Sequence, residues 1–209
     1  NPFLFRLIDP AEQWIRKIPW LWRLLNGRSM NHTEQINAAS VEQVRQSKSS
    51  VAVIVGFGPV GRTVDKILRE DGIETVVVDL NMDTVEALKR EGRIAIYGDA
   101  SNEEVMRDIL KKASHLLITL PHGTNRGPLI ALARHLNPDI VIFVRARYLR
   151  EREELEMAGA DAACFEEAEA AVALARLVLA RERAESERIR QETLRIRREL
   201  RAEYSSMPD

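Results

Sequence analysis

Short apolar runs recur at regular intervals between residues 51 and 165, and helical segments separate them. Runs that are apolar throughout are typical of parallel strands covered on both faces. The pattern predicts strands at about 51–55, 74–79, 93–97, 115–120, 140–144 and 162–165, and helices at about 60–71, 83–91, 102–111, 125–136 and 148–158. Because the connections are short, we expect a doubly wound, Rossmann-like α/β sheet with strand order 3-2-1-4-5-6.

Residues 1–26 differ in composition from the rest of the chain. All three tryptophans, Trp14, Trp20 and Trp22, lie there among arginines and a lysine. Such an amphipathic stretch fits a membrane-proximal segment, and equally a short helix packed on the globular domain or an oligomer contact. Residues 27–50 are polar and rich in Ser, Asn and Gln, which predicts a linker.

After the alternating region, residues 166–204 predict one long helix or two helices in line, followed by a tail at 205–209. The part from Ala168 to Ala180 is apolar on most faces, so it should pack on the sheet or on a partner. The remainder is dense in Arg and Glu, with a thin stripe of Ile189, Ile196 and Leu200 at heptad-like spacing. This stripe indicates either a solvated charged face or a short coiled coil with another subunit.

Composition narrows the classes of function. With 209 residues, 45% of them hydrophobic, the chain can form a core, and its formal charge of −1 gives no overall attraction to nucleic acid or anionic lipid. The single cysteine, Cys164, excludes an internal disulfide and fits a reducing compartment, and we expect it in the core. No apolar run is long enough to span a bilayer, and a start at Asn1 rather than Met suggests a piece of a longer protein.

The most informative motif follows the first predicted strand. It reads Gly56-Phe57-Gly58-Pro59-Val60-Gly61, a G-x-G-x-x-G turn that opens a helix, and Asp79 then ends the second strand. This is the context of the dinucleotide-binding fingerprint, in which the first glycine makes the turn, the second admits a phosphate and the third packs the helix.

Each part of this motif has a chemical role. The helix N-terminus would offer free N–H groups to an anion. Asp79 would accept hydrogen bonds from a ribose with a free 2′-OH and would repel a 2′-phosphate. The alternative is a Rossmann-like unit that has lost its ligand site.

Further loops should meet the same crevice, because the carboxyl ends of parallel strands lie at one edge of the sheet. Leu80 stands beside Asp79, and the predicted third strand leads to Asp99, Ala100 and Ser101. Asp99 could accept from an adenine amino group, cap the next helix, or do both. The fourth strand leads to Thr119, Leu120, Pro121 and His122, which would border the ribose and a second phosphate. For His122 a role in the turn is an equal alternative.

Two arginines, Arg145 and Arg147, follow the fifth strand and could reach a phosphate or pair with neighbouring carboxylates. Arg62 and Arg126 are weaker candidates of the same kind. The histidines have no metal-ligand spacing among themselves or with Cys164, so we expect no transition-metal site. No nucleophile–base–acid constellation or Walker A loop is present in the sequence, which argues against catalysis.

These residues resemble the TrkA-N or RCK domain family, regulators of potassium conductance and transport, over about residues 50–165. The glycine turn, the strand-ending Asp79 and Gly98-Asp99-Ala100-Ser101 carry the resemblance, together with Arg145-Ala146-Arg147 and Gly159-Ala160-Asp161. Within this family the chain resembles the cytoplasmic tail of Kef/YbaL-type (CPA2) monovalent cation:proton antiporters. The Trp-rich entry, the linker and Asn137-Pro138-Asp139-Ile140 suggest this closer likeness.

The resemblance implies a ligand-sensing regulatory domain rather than an enzyme. It implies an adenine nucleotide (AMP, NAD(H) or ATP), a homodimer through the Rossmann units, and a transmembrane potassium or sodium antiporter preceding Asn1. The tail would lie at the cytoplasmic face of a bacterial inner membrane and bind no nucleic acid. Two alternatives stay open: an NAD-dependent oxidoreductase, which lacks a substrate domain here, and a nucleotide-independent dimerisation module.

Overall fold

The computed structural model describes residues 36–203, so the predictions for residues 1–26, for the start of the linker and for the tail lie outside the described residues. A helix, α1, occupies residues 36–46. The strands are β1 (Val51–Val55), β2 (Thr75–Asp79), β3 (Ile94–Tyr97), β4 (Ala113–Ile118), β5 (Val141–Ala146) and β6 (Ala162–Phe165). The later helices are α2 (Pro59–Glu70), α3 (Met82–Arg90), α4 (Glu103–Leu110), α5 (Gly127–Leu136), α6 (Arg152–Met157, entered through a 3₁₀ turn at Leu149–Glu151), α7 (Glu166–Arg181) and α8 (Ser186–Glu203).

The six strands form one parallel sheet in the order β3-β2-β1-β4-β5-β6. This confirms the predicted doubly wound, Rossmann-like class and its strand order. The order reverses between β1 and β4, and the crevice at that point is where such sheets bind ligands.

Burial of the central strand explains its composition. All five residues of β1 are buried, because helices cover both faces of the sheet there. One large core cluster includes Val53, Leu116 and Ile142, and a smaller one on β2 and α3 includes Val77 and Leu88.

Helix α1 changes the interpretation of the predicted linker. Val44 is fully buried in the main core, and the polar residues Asn37 and Ser40 are 6% and 3% exposed. Part of the predicted linker, residues 36–46, is therefore a helix packed on the domain. Its polar composition was misleading because polar side chains lie at buried positions of this helix.

The C-terminal segment is a helical hairpin rather than one helix or two in line. Helix α7 ends where Arg183 adopts a positive φ of 56° and the Ala184 N–H donates to the Leu179 carbonyl, the closure of a Schellman motif. Helix α8 then folds back, so that Arg197 pairs with Glu169 at 2.7 Å. Between residues 36 and 203, no helix has both the length and the apolar character to cross a bilayer.

Residues 36–203 leave one face of the sheet uncovered over β4, β5 and β6. We call it the open face. It holds a shallow cavity of about 320 Å³ lined by Val60, Leu117, Phe143, Ala162 and Cys164, among others. Phe143 is 41% exposed and Cys164 is exposed as well, so the expectation of Cys164 in the core is wrong. Within β6, Cys164 lies on the open face and lines its cavity.

Candidate nucleotide-binding site

The glycine turn, residues 56–61, has two tight positions and one open position. Gly56 has a φ of +89°, and a Cβ on Gly61 would lie 2.1 Å from the Gly56 carbonyl oxygen. By contrast, a Cβ on Gly58 would meet no atom within 4 Å, and its φ of −71° is ordinary for any residue. Gly56 and Gly61 are thus required by the fold, whereas the space at Gly58 is free for a ligand.

The start of α2 is suited to an anion. Its N-cap, Gly58, provides no side-chain hydrogen bond, Pro59 takes the first turn, and that turn carries no acidic residue. Backbone N–H groups and the positive end of the helix dipole therefore face the turn, and no acidic side chain of the first helical turn competes for them. Val60, 39% exposed, follows at the same end.

Thr119 fastens the glycine turn to the fourth strand. Its hydroxyl lies 2.7 Å from the Gly56 carbonyl and 3.1 Å from the Val55 carbonyl, and it is buried. Leu120 packs beside the same glycine, with its Cδ2 3.1 Å from where a Cβ would stand. The structure therefore brings β4's exit to the turn across the switch point, as the topology predicts.

Asp79 holds the turn from the other side. One carboxylate oxygen accepts from the Phe57 N–H at 2.6 Å, and the other accepts from the Asn81 N–H at 2.8 Å. Each oxygen of an ionised carboxylate has a further acceptor site, so both can still accept from hydroxyls. Asp79 is consequently a positioned acceptor as well as a structural one, and Leu80, 65% exposed, stands next to it.

The loop after β3 adjoins Asp79 through the backbone, because the Gly98 N–H donates to the Asp79 carbonyl at 3.1 Å. Asp99 accepts from both the N–H and the hydroxyl of Ser101 at 2.8 Å. The N-cap of α4 is Asn102, so the suggestion that Asp99 caps this helix is wrong. The Asp99 carboxylate instead closes its own loop, over a buried Ala100.

Arg145 lies near the end of β5, reaches Thr119 beside the glycine turn, and is paired. Arg145 donates to Glu166 at 2.7 Å and to the Thr119 carbonyl at 3.3 Å, so the ion-pair alternative is the one that the structure shows. The guanidinium of Arg147 lies 5.1 Å from the centre of the Tyr148 ring instead.

The exit of β4 continues into a second cavity of about 350 Å³. His122 lines it, edge-on to Tyr148 at 5.0 Å between ring centres. The Pro121 carbonyl accepts from Arg126 at 3.4 Å. His122 thus faces Tyr148, whereas Leu120 and Thr119 face the glycine turn.

A buried ion pair lines this second cavity, and the sequence analysis named its arginine but not its partner. Arg126 is 6% exposed and donates to Glu151 at 2.9 Å. Burial of the Glu151 carboxyl opposes its ionisation, but hydrogen bonds from the Tyr148 and Arg147 N–H groups and the charge of Arg126 outweigh this and lower its pKa. The two residues are 25 positions apart, so no local pattern could reveal the pair.

The described residues form one candidate site from several loops. Around the switch point lie the glycine turn, Asp79, Leu80, Thr119, Leu120 and Arg145. The Asp99 loop adjoins Asp79. Among residues 36–203, no group of three or more His, Cys, Asp or Glu side chains could hold a metal ion. The arrangement can bind a phosphate at α2, hydroxyls at Asp79, and a base beyond Leu80.

The family model for the TrkA-N domain matches residues 52–166, more than half of the chain. The chain belongs to the TrkA-N domain family. The match begins in β1 and ends in α7, so it contains every loop of the candidate site. It confirms the resemblance drawn from the glycine turn, Asp79 and the Gly98–Ser101 loop.

This TrkA-N domain is similar to parts of longer transport proteins. The 209-residue chain is 32% identical, over 82% of its length, to the putative cation/proton antiporter YbaL of Escherichia coli K12, and 28% identical, over 77% of its length, to the glutathione-regulated potassium-efflux system protein KefC of Escherichia fergusonii. The chain spans only 29% and 26% of these two relatives, respectively.

Solved structures show the same fold. The crystal structure of the TrkA-N domain of YbaL from Escherichia coli is 35% identical, with a TM-score of 0.59 over 62% of this chain and 96% of that one. The AMP-bound Kef C-terminal domain of Shewanella denitrificans has a TM-score of 0.64 at 19% identity, over 76% of this chain and 99% of that one. At that identity the likeness concerns the fold.

Proposed function

We propose that this TrkA-N domain binds an adenine nucleotide and regulates a monovalent cation:proton antiporter. The observation that carries the proposal is the open position at Gly58, directly at the uncapped N-terminus of α2. A glycine that the fold does not need, at a place where a phosphate would lie, is expected of a binding site. The AMP-bound state of the similar Kef domain supports an adenine nucleotide as the ligand.

The binding mode follows from the strand exits. The phosphate lies over Gly58–Val60, with Phe57 and Pro59 shaping the turn. The ribose hydroxyls donate to Asp79, and the base lies beyond Leu80, near the Asp99–Ser101 loop. For a dinucleotide such as NAD(H), the second phosphate lies near Leu120, with Pro121, His122 and Arg145 at the border. AMP, NAD(H) and ATP all have the adenosine monophosphate group that these contacts select.

The regulatory role rests on the relatives. YbaL and KefC are named as cation transport proteins, and this chain matches only a part of each. We infer that the domain is the tail of a potassium or sodium antiporter, at the cytoplasmic face of the bacterial inner membrane, and that its role is regulatory rather than catalytic. A bound nucleotide changes the exchanger only through its different affinities for two arrangements of the tail.

We further propose that the domain is a homodimer through the Rossmann unit. Two exposed apolar surfaces support this contact: the open face, and a stripe on α7 where Leu174, Leu177 and Val178 are 64%, 68% and 61% exposed. Contiguous apolar surfaces of this kind mark protein–protein contacts.

Thermal unfolding of the 209-residue chain against AMP, ADP, ATP, NAD⁺, NADH and NADPH tests the nucleotide proposal. A ligand at 100 times its Kd should add about 2.7 kcal/mol to the free energy of unfolding. We expect a raised melting temperature with AMP or NAD(H), and little change with NADPH, because Asp79 repels a 2′-phosphate.

A matched pair of glycine variants locates the effect. Gly58→Ala should keep the ligand-free melting temperature and lose the nucleotide-induced rise. Gly127→Ala, at the start of α5, meets its nearest atom at 3.5 Å and should change neither. If Gly58→Ala responds to nucleotide like the unmodified chain, the phosphate site is elsewhere.

A further inference from the structure

A third cavity, larger than the two described above, lies between α1 and the exits of β2 and β3. It has a volume of about 800 Å³. Leu80, Gly98 and Asp99 form one wall, and Ala38 and Val41 of α1 stand in the other. We call it the base cavity, because its first wall is the part of the candidate site assigned above to the nucleotide base.

The lining of the base cavity suits a base and disfavours a phosphate. Among residues 36–203, four carboxylates line it, those of Glu42, Asp99, Glu104 and Asp108, and one guanidinium, that of Arg45, which is paired with Asp108 at 2.7 Å. A phosphate would be repelled here, whereas an uncharged ring with N–H donors would find acceptors. Apolar side chains, among them Val41 and Leu80, stand on both walls.

Helix α1 is attached to the domain close to this cavity. The Asn37 side chain donates to the Tyr97 carbonyl at 2.7 Å and accepts from the Tyr97 N–H at 2.9 Å, as a neighbouring strand would. Tyr97 stands opposite Asp79 in the sheet and two residues before Asp99. Helix α1 is therefore attached at Tyr97, whose backbone lies beside Asp79 and leads into the Asp99 loop. These are the residues proposed above to contact the ribose and the base.

We propose that α1 is the second wall of the base subsite, so that an occupied subsite holds α1 on the domain and an empty one holds it less firmly. The inference rests on the proposed nucleotide function. A ligand that touches both walls binds the docked arrangement better than the undocked one, and by linkage it favours docking. Helix α1 precedes β1, so it is the element through which occupancy reaches the preceding part of the chain.

Adjacent alanines on α1 provide a matched test. Ala38 lines the base cavity, Ala39 does not, and both are exposed. In the 209-residue chain, Ala38→Trp should occupy part of the base cavity and weaken the affinity for AMP at least tenfold by calorimetry. Ala39→Trp should leave the affinity within twofold of the unmodified chain.

Hydrogen exchange needs no variant and provides a second measurement. Saturating AMP should slow amide exchange across residues 36–46 at least fivefold, and should not slow exchange in α8, which contributes no residue to the lining of the cavity. If AMP raises the melting temperature but neither α1 exchange nor Ala38→Trp responds, the inference about α1 is overturned and the nucleotide function stands. If neither AMP nor NAD⁺ raises the melting temperature, the nucleotide function falls and this inference with it.

Discussion

The two halves of the sheet use similar apolar sequences in different ways. In β1 every residue is buried, and in β2 only the terminal Asp79 is partly exposed. In β5 and β6 burial alternates, with exposed Phe143, Ala162 and Cys164 on the open face. A strand whose residues are all buried is covered on both faces. A strand in which buried and exposed residues alternate is covered on one face only.

This difference in burial suggests that the two halves of the sheet have different roles. In the β1–β3 half, helices and α1 complete the packing, and the functional surface is confined to the loops at the strand ends. In the β4–β6 half, the exposed apolar surface lies on the sheet itself, and the proposed dimer contact would use it. We infer that the first half is built for a small ligand and the second for another copy of the chain.

The β1–β3 half should be most sensitive at Gly61. In Gly61→Ala the new methyl would lie 2.1 Å from the Gly56 carbonyl oxygen, so α2 must move away from the turn. We expect a loss of about 3 kcal/mol in the free energy of unfolding by urea denaturation. Gly58→Ala is the control within the same turn and should change this free energy by less than about 0.5 kcal/mol. Equal losses would mean that the open and tight positions are not distinct.

The β4–β6 half should be most sensitive at its buried ion pair. Glu151→Gln leaves the charge of Arg126 buried without its counter-charge, and we expect a loss of about 2 kcal/mol at pH 7. Glu153→Gln, at an exposed position of α6, is the control and should change little.

The effect of Glu151 should depend on pH in one direction. The folded-state pKa lies below the ordinary value of 4.5, so the contribution is present above that pH and is lost as the pH falls through the folded pKa. The difference between Glu151→Gln and the unmodified chain should therefore hold from pH 7 to 5.5 and shrink below 4.5. A difference that grows on acidification would contradict the ionised pair.

The open face should matter more for association than for folding. Phe143→Ser should weaken a dimer at least tenfold, about 1.4 kcal/mol, when the oligomeric state is followed by analytical ultracentrifugation. The unfolding of the monomer should be nearly unchanged, because Phe143 is already 41% exposed. Met157→Ser, at a side chain 77% exposed on α6, is the control for surface hydrophobicity. A dimer that survives Phe143→Ser places the contact elsewhere.

The sequence predicted correctly those features that depend on residues close together in the chain. The strands and their order followed from apolar runs and short connections, and the glycine turn with Asp79 followed from motif spacing. Helix α1 was missed because Asn37 and Ser40, two of its buried positions, are polar. The hairpin between α7 and α8 was missed because Arg183, a non-glycine residue, adopts the positive φ at the turn.

Other features depend on partners far apart in sequence. Nothing near Arg126 in the chain indicates that Glu151 pairs with it. The apolar run of β5 likewise does not show that the helices between residues 36 and 203 leave one of its faces exposed, since distant helices decide which strands are covered. The candidate site could be predicted at its glycine turn, but not at the wall that α1 contributes.

The pairing of Asn37 with Tyr97 has a consequence for the colloidal behaviour of the protein. Strand β3 is at the edge of the sheet, and an edge strand with free N–H and C=O groups is a template for another chain. The Asn37 amide occupies both groups of Tyr97. A shortened chain that began at residue 50 would expose this edge. The β3 edges of two copies could then pair edge to edge and start aggregation. Helix α1 thus prevents the β3 edge from pairing with the sheet of another copy of the chain at Tyr97.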